Sequence, residues 1–388
     1  MSSNKRIIMK KSLIALAFGT LGLGIAEFAM MGILGSVAEN LQISISAAGH
    51  LISAYALGVC VGAPVLLLVR KYPLKKILLL LVTIILVGNL CAAAASNYWM
   101  LLLARFLSGF PHGAYFGVAS IVAQRLADKG KGSQAVSVMI ADMTIATVFG
   151  VPLGTALSNT ISWRLTFLLV ACWSLLTFYC IWRWIPQMDS LPDSGFKGQF
   201  KFLKSPAPWL IIGGTLLGNG GVYCWYSYIN PLLTNISGFS TDSLTWLMVI
   251  AGFGMVIGNL LGGRLADRFR AGLVAAIVQS CMVFTLLLIF FFSPVPWLSV
   301  VLMVIGTAGL FGVGSPLQYL IIRFSKGGEM LGAASIQIAF NIGNAVAAYC
   351  GGLILQAGFD FRYPALVGIP FAVLGSILLF ILHKKYER

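Results

Sequence analysis

The stretch KKILLLLVTIILVGNLCAAAA (Lys75–Ala95) sets two cations before a run that carries no charge as far as Ala95. A helix rises about 1.5 Å per residue, so crossing a hydrocarbon core of about 30 Å takes about 20 apolar residues. This stretch meets that length. Its basic pair marks the end that a cell retains on the cytoplasmic side during insertion.

Working outward, runs of the same kind recur at 12–36, 47–69, 99–124, 134–158, 163–185, 208–230, 243–264, 271–292, 297–321, 330–356 and 362–383. With 75–95 they predict twelve transmembrane helices. The composition agrees: of 388 residues 59% are hydrophobic and 10% charged, with a mean hydropathy of +0.93. Soluble domains carry about 25% charged residues, so a water-soluble globular protein is excluded. The net charge of +15 would suggest nucleic acid in a soluble chain. Here all Lys and Arg except Arg105, Arg164 and Arg362 lie in the two tails and in alternate loops. That asymmetry is topology, and it predicts both termini in the cytoplasm. The apolar run after Lys10 and Lys11 is longer than a signal peptide's core, so it reads as an uncleaved first helix. The seven cysteines all fall inside spans without ligand spacing and imply neither a metal nor a disulfide.

A proline-containing segment, 186–207, separates the sixth and seventh runs. It divides the chain into a six-helix bundle over 1–185, a cytoplasmic linker over 186–207 and a second bundle over 208–388. Three pairs of positions repeat at an offset of 198: Trp163-Arg164 with Phe361-Arg362, Arg125 with Arg323, and Arg70 with Arg268. Fused repeats suit a transporter, in which two bundles rock about a midplane site.

The loop after the eighth run reads Gly263-Arg264-Leu265-Ala266-Asp267-Arg268. It resembles the Gly-x-Leu-Ala-Asp-Arg signature of the major facilitator superfamily. The fourth run carries Arg105-x-x-x-Gly109-x-x-x-Gly113, like that family's span-4 arginine motif. The fifth carries Gly150-Val-Pro152-Leu-Gly154-Thr155, a loosened form of its antiporter motif. Ala26-Glu27-Phe28, Gly109-Phe-Pro111-His112-Gly113 and Ala339-Phe-Asn341-Ile-Gly343 are similar to the drug/sugar:proton antiporter branch, in particular its arabinose efflux permease group. The resemblance spans essentially the whole chain. It implies the twelve-helix major facilitator fold, with a latch at Gly263, Asp267 and Arg268 and a conformational motif at Gly150, Pro152 and Gly154. The first half has Val69 where the latch acid would stand.

Glu27, Arg105 and Asp142 are the normally charged residues deep in the runs. Each costs about 2.5–3.5 kcal/mol at a helix centre, an expense that marks pathways. Counting residues puts Glu27 about 22 Å in from the cytoplasm and Arg105 about 9 Å from the outer surface, nearly one level. His112 lies two turns beyond Arg105 on the same face, at the depth of Asp142. The expectation is a proton route: Glu27 as carrier, Arg105 holding it ionised until the two separate, and Asp142 with His112 below. His50 reads as an interfacial residue. The second half offers neutral polar stripes instead: Asn219, Tyr223 and Tyr226 on one face, Gln337, Asn341 and Asn344 on another, and Gln318. Amides and phenols hydrogen-bond hydroxyls, and aromatic rings stack on rings or lipophilic drugs.

The reading is an all-α secondary transporter. It exports a small organic solute (a sugar, drug or nucleoside) in exchange for protons, by alternating access. The proton gradient is its energy source, with no cofactor, metal or nucleic acid. It is expected as a monomer in the bacterial inner membrane. Proton-coupled uptake or facilitated diffusion is the alternative. An intramembrane enzyme would need a nucleophile with its base or a metal-binding pair, and the three scattered histidines supply neither; a receptor would bind without flux.

Overall fold

The computed structural model describes residues 3–43, 45–150, 153–154, 157–158, 161–191, 195–240 and 243–387. Among these, ten helical spans are long and apolar enough to cross a membrane, two of them, Tyr98–Leu126 and Pro296–Phe324, each made of two successive helices. The two remaining runs are apolar but interrupted. The run 134–158 contains helix Gly132–Ile145 followed by a π-helical turn, Ala146–Gly150. The run 208–230 passes from Pro206–Gly213 through a π-helical stretch, Gly214–Asn219, into Gly220–Tyr226. Widened turns of this kind recur at functional positions in helices. The carbonyl of Gly218, inside the second, is satisfied by the Gln279 amide at 3.0 Å.

Helix α1 is Ser3–Asn40, α2 Ile45–Val65, α3 Leu74–Ala93, α4 Tyr98–Gly109, α5 Pro111–Leu126, α6 Gly132–Ile145 and α7 Arg164–Trp184. The fourth run breaks between α4 and α5 because Pro111 has no N–H to continue the ladder. The Asn97 side chain caps α4 by accepting from the Met100 N–H at 2.9 Å. In the linker, α8 is Gly195–Gln199. Beyond it, α9 is Pro206–Gly213, α10 Gly220–Tyr226, α11 Ile229–Asn235, α12 Leu244–Arg268 and α13 Ala271–Phe292. The last four are α14 Pro296–Gly312, α15 Gly314–Phe324, α16 Glu329–Gln356 and α17 Tyr363–Tyr386.

Two compact units form. The first joins Met1–Lys129, Val138–Phe202 and Ser325–Ile338. In it α2 packs on α4, and α7 packs on α3 and α1. The second joins Gly130–Ser137, Leu203–Phe324 and Ala339–Arg388. In it α12 packs on α14, and α17 packs on α13 and α10. The same pairings thus recur. Both use glycine for backbone approach: a Cβ at Gly62 would overlap the Phe110 carbonyl, and one at Gly262 the Gly312 carbonyl. Side chains such as Leu68, Leu103 and Phe284 stand about two-thirds exposed (70%, 68% and 66%), the apolar exterior that lipid requires. The chain is an all-helical, multi-pass membrane protein.

Candidate functional site

In the first unit, four helices bring polar side chains to one place. Glu27 on α1 has its Oε2 buried without a hydrogen-bond partner among the described residues. His112, in the first turn of α5 directly after the proline break, places Nδ1 3.8 Å from that oxygen. The same Nδ1 is 2.9 Å from the Tyr55 hydroxyl on α2. The His112 ring stacks on Phe116 with centroids 5.0 Å apart. Its Nε2 is buried with no partner.

Arg105, on α4 and fully buried, reaches towards α1 differently from the expectation. Its Nη1 donates to the Ala26 carbonyl at 2.6 Å and its Nε to the Leu51 carbonyl at 3.4 Å. The guanidinium lies 4.5 Å from the Tyr55 ring centroid and 5.7 Å from that of Phe167. Nη2 is left buried and unpaired. Among the described residues, then, the nitrogen within ion-pair distance of Glu27 belongs to His112, because two backbone carbonyls take the arginine. His112 in turn hydrogen-bonds Tyr55 and comes within ion-pair distance of Glu27. Asp142 lies in α6, and its side chain is outside the described residues. His50 contacts the Tyr98 hydroxyl at 3.2 Å at an exposed position.

The antiporter-like glycines pack against the turns around Glu27. A Cβ on Gly150 would come 2.5 Å from Ile25 Cγ1, and one on Gly154 would come 3.4 Å from the Ala29 Cβ. Pro152, between them, lies outside the described residues. Tyr55 was not a sequence candidate. The available signal was its position as the one Phe, Tyr or Trp in the run 47–69.

In the second unit, Asn219 closes the π-helical stretch. It is buried, with both its amide oxygen and its nitrogen unpartnered. One and two turns on, Tyr223 and Tyr226 set their rings edge to face at 5.5 Å, and Tyr223 meets Phe340 at 5.6 Å. Trp225 is buried with Nε1 unpaired, and its ring lies 6.1 Å from Tyr226. On α16, Asn344 keeps a buried, unpartnered Oδ1, with Asn341 one turn before it. Gln318 is buried in α15. Gln337 belongs to the first unit, where a Cβ at Gly113 would lie 3.5 Å from its own Cβ.

The expected latch has a partner the sequence did not disclose. Asp267 accepts from the Ser133 N–H at 3.0 Å and the Gln134 N–H at 2.7 Å, capping the first turn of α6. Free N–H groups and the helix dipole make that terminus a seat for an anion. Gly263 lets α12 approach, since a Cβ there would come 2.5 Å from Ser137 Oγ. One turn earlier, the Asn259 amide donates to the Ser137 carbonyl at 2.8 Å. Arg268 instead lies 5.6 Å from the Phe269 ring centroid.

The family model described as Major Facilitator Superfamily matches residues 16–336. A protein of Escherichia coli (strain K12) named as transporter AraJ is 46% identical over 382 residues, covering 98% of this chain and 97% of its own length. A Helicobacter pylori protein named as a sugar efflux transporter is 27% identical, covering 95% of this chain and 92% of its own. The crystal structure of the E. coli fucose:proton symporter FucP shares the fold with a TM-score of 0.77 over 95% of this chain and 98% of that one, at 15% identity. The recurring helix pairings, the capping aspartate at the end of α12 and a match over most of the length lead to one assignment: the chain belongs to the Major Facilitator Superfamily of secondary transporters.

Proposed function

We propose that this transporter exports a small organic solute in exchange for protons, with Glu27 as the proton carrier. The observation that carries the reading is the Glu27 carboxylate itself. Among the described residues it has one buried oxygen without a hydrogen-bond partner, and a histidine nitrogen stands 3.8 Å away. A carboxyl so placed is costly to keep unless it binds and releases something. Arg105 orders the Ala26 carbonyl beside it, and Asp142 and His112 extend the route. In the second unit, the unpartnered amide of Asn219 and amide oxygen of Asn344, with Tyr223, Tyr226, Gln318 and Asn341, suit a hydroxylated or amphipathic solute: a sugar, a nucleoside or an aromatic drug. Such efflux would also confer drug resistance.

Transport proceeds by alternating access of the two repeats, 1–185 and 208–388, joined by 186–207. The Asp267 cap stabilises one conformation. The antiporter-type glycines against α1 and the sugar-efflux relative favour export. Charge asymmetry favours cytoplasmic termini and the bacterial inner membrane, with the protein as a monomer.

The test uses everted vesicles energised to an acid interior and read with a pH-sensitive dye. Sugars, nucleosides, chloramphenicol and lipophilic cations are added in turn to wild type and Glu27→Gln. Proton release on adding one compound, lost in the variant, is the expected result. Labelled solute crossing with no proton movement would mean facilitated diffusion and would remove Glu27 from the carrier role.

A further inference from the structure

We infer that Tyr55 is a positioning residue that withholds the His112 N–H from Glu27. The inference deepens the proton-carrier reading above and rests on it for its meaning in transport.

The geometry is a counting problem. The Tyr55 hydroxyl has one proton and two neighbours: the Leu23 carbonyl at 3.3 Å and His112 Nδ1 at 2.9 Å. A carbonyl only accepts. Both contacts are hydrogen bonds at once only when the hydroxyl proton goes to Leu23 and the hydroxyl oxygen accepts from Nδ1–H. This fixes the neutral imidazole with its proton on Nδ1 and leaves Nε2, which is buried without a partner, as the bare nitrogen. The Glu27 Oε2, 3.8 Å from the same Nδ1, is the competing acceptor and lies beyond hydrogen-bond range. One N–H thus has two suitors, and Tyr55 holds it.

The hydroxyl also bridges two helices. Leu23 lies on α1, one turn before Glu27, while His112 heads α5. A displacement of α1 against α5 that breaks the Tyr55 contacts frees the N–H for the carboxylate. The ionised acid then gains a donor exactly when it must give up its proton. Among the described residues, the titratable and charged groups facing Glu27 are His112 from α5, Tyr55 from α2 and Arg105 from α4. Phe167 of α7 adds a ring beneath the arginine.

Tyr55→Phe removes the hydroxyl and keeps the ring on which Arg105 stacks. Two readouts, neither needing the solute, test the assignment on purified protein in lipid nanodiscs. The first is the ¹⁵N spectrum of histidine-labelled protein, with the His112 signals identified by their loss in His112→Leu. Wild type is expected as the Nδ1–H tautomer, and Tyr55→Phe as a changed hydrogen-bond signature at Nδ1. The second is the infrared carboxyl band that disappears in Glu27→Gln, followed against pH. Its midpoint is expected to fall by about one pH unit in Tyr55→Phe. In the His112→Leu background, adding Tyr55→Phe should shift it no further.

An Nε2–H tautomer in wild type, an unchanged Nδ1 signature in Tyr55→Phe, or a midpoint that stays or rises would overturn the inference. Should Glu27→Gln leave proton-coupled flux intact, the carrier reading falls while both nanodisc readouts still decide the role of Tyr55.

Discussion

Acidic side chains are placed differently in the two stretches 1–185 and 208–388. In the first, Glu27 lies well inside α1, thirteen residues short of its Asn40 end, with a histidine, a tyrosine and an arginine around it. In the second, the described acids all stand at helix ends or beyond them: Asp267 one residue before the end of α12, Glu329 opening α16, Asp360 before α17 and Glu387 after it. The interior of that stretch is polar but neutral, built from Asn219, Asn344 and tyrosines. An acid at a helix end caps or pairs and stabilises structure. An acid in the interior, left short of partners, is a functional expense. On the proposed function, the contrast would put charge handling in the first stretch and solute recognition in the second.

The strongest way to break this division is to remove the interior cation. Arg105→Met keeps a long apolar stem against Tyr55 and Phe167 but deletes the donors to the Ala26 and Leu51 carbonyls. Hydrogen bonds from charged groups are worth about 1.5–3 kcal/mol each. Dye-reported proton exchange in everted vesicles, at matched protein content, is expected to fall by about 100-fold. A rate within a few-fold of wild type would make Arg105 a helix-packing residue.

Asn219→Ala sharpens the neutral side. A buried amide with no partner is a net cost to the fold, so its removal should leave the Tm unchanged or higher. The half-saturating solute concentration should rise by about tenfold, the equivalent of one hydrogen bond. A fall of many degrees in Tm with unaltered affinity would show that the amide serves the fold alone.

The helix-end acids should behave in the opposite way, as stability residues. Asp267→Asn weakens the cap on α6 and is expected to cost about 1 kcal/mol, seen as a Tm lowered by a few degrees.

The membrane helices were legible because lipid demands unbroken apolar length, and runs such as Lys75–Ala95 declare it. The nearness of Arg105 to the Glu27 turn of α1 was legible through rise per residue, whereas the same count set His112 about two turns lower and missed its approach to Glu27. Rise gives height but not direction around the helix. It therefore could not tell that backbone carbonyls would take Arg105, or that the helix restarting at Pro111 would turn His112 towards Glu27. Tyr55 escaped because a tyrosine in an apolar run reads as filling until its hydroxyl is seen between a carbonyl and an imidazole. The partner of Asp267 escaped because a cap on another helix's N–H groups leaves no mark at its own position.

The smallest effect belongs to the pair nearest the surface. Arg362 donates to Asp360 from Nε at 3.1 Å and from Nη2 at 2.5 Å, with its own N–H at 2.9 Å. These hydrogen bonds hold the Asp360 carboxyl below the usual carboxylate range. At the matching place in the first stretch Ser162 stands instead, and Arg164 turns to the Asn40 amide at 2.8 Å and the Ala95 carbonyl at 2.9 Å. A carboxylate with a depressed folded-state pKa contributes stability above its unfolded value of about 4, and that contribution is lost as pH falls through the lower folded value. Both side chains are about one-third exposed (34% for Asp360 and 33% for Arg362), so solvent screening holds the gain to about 0.5 kcal/mol. Asp360→Asn should therefore lower Tm by a degree or two at pH 7, with the gap closing as pH falls towards 3. A gap that persists at pH 3 would show that the side chain acts through geometry and not through charge. Helix-end acids of the second stretch would then need an explanation other than electrostatic pairing.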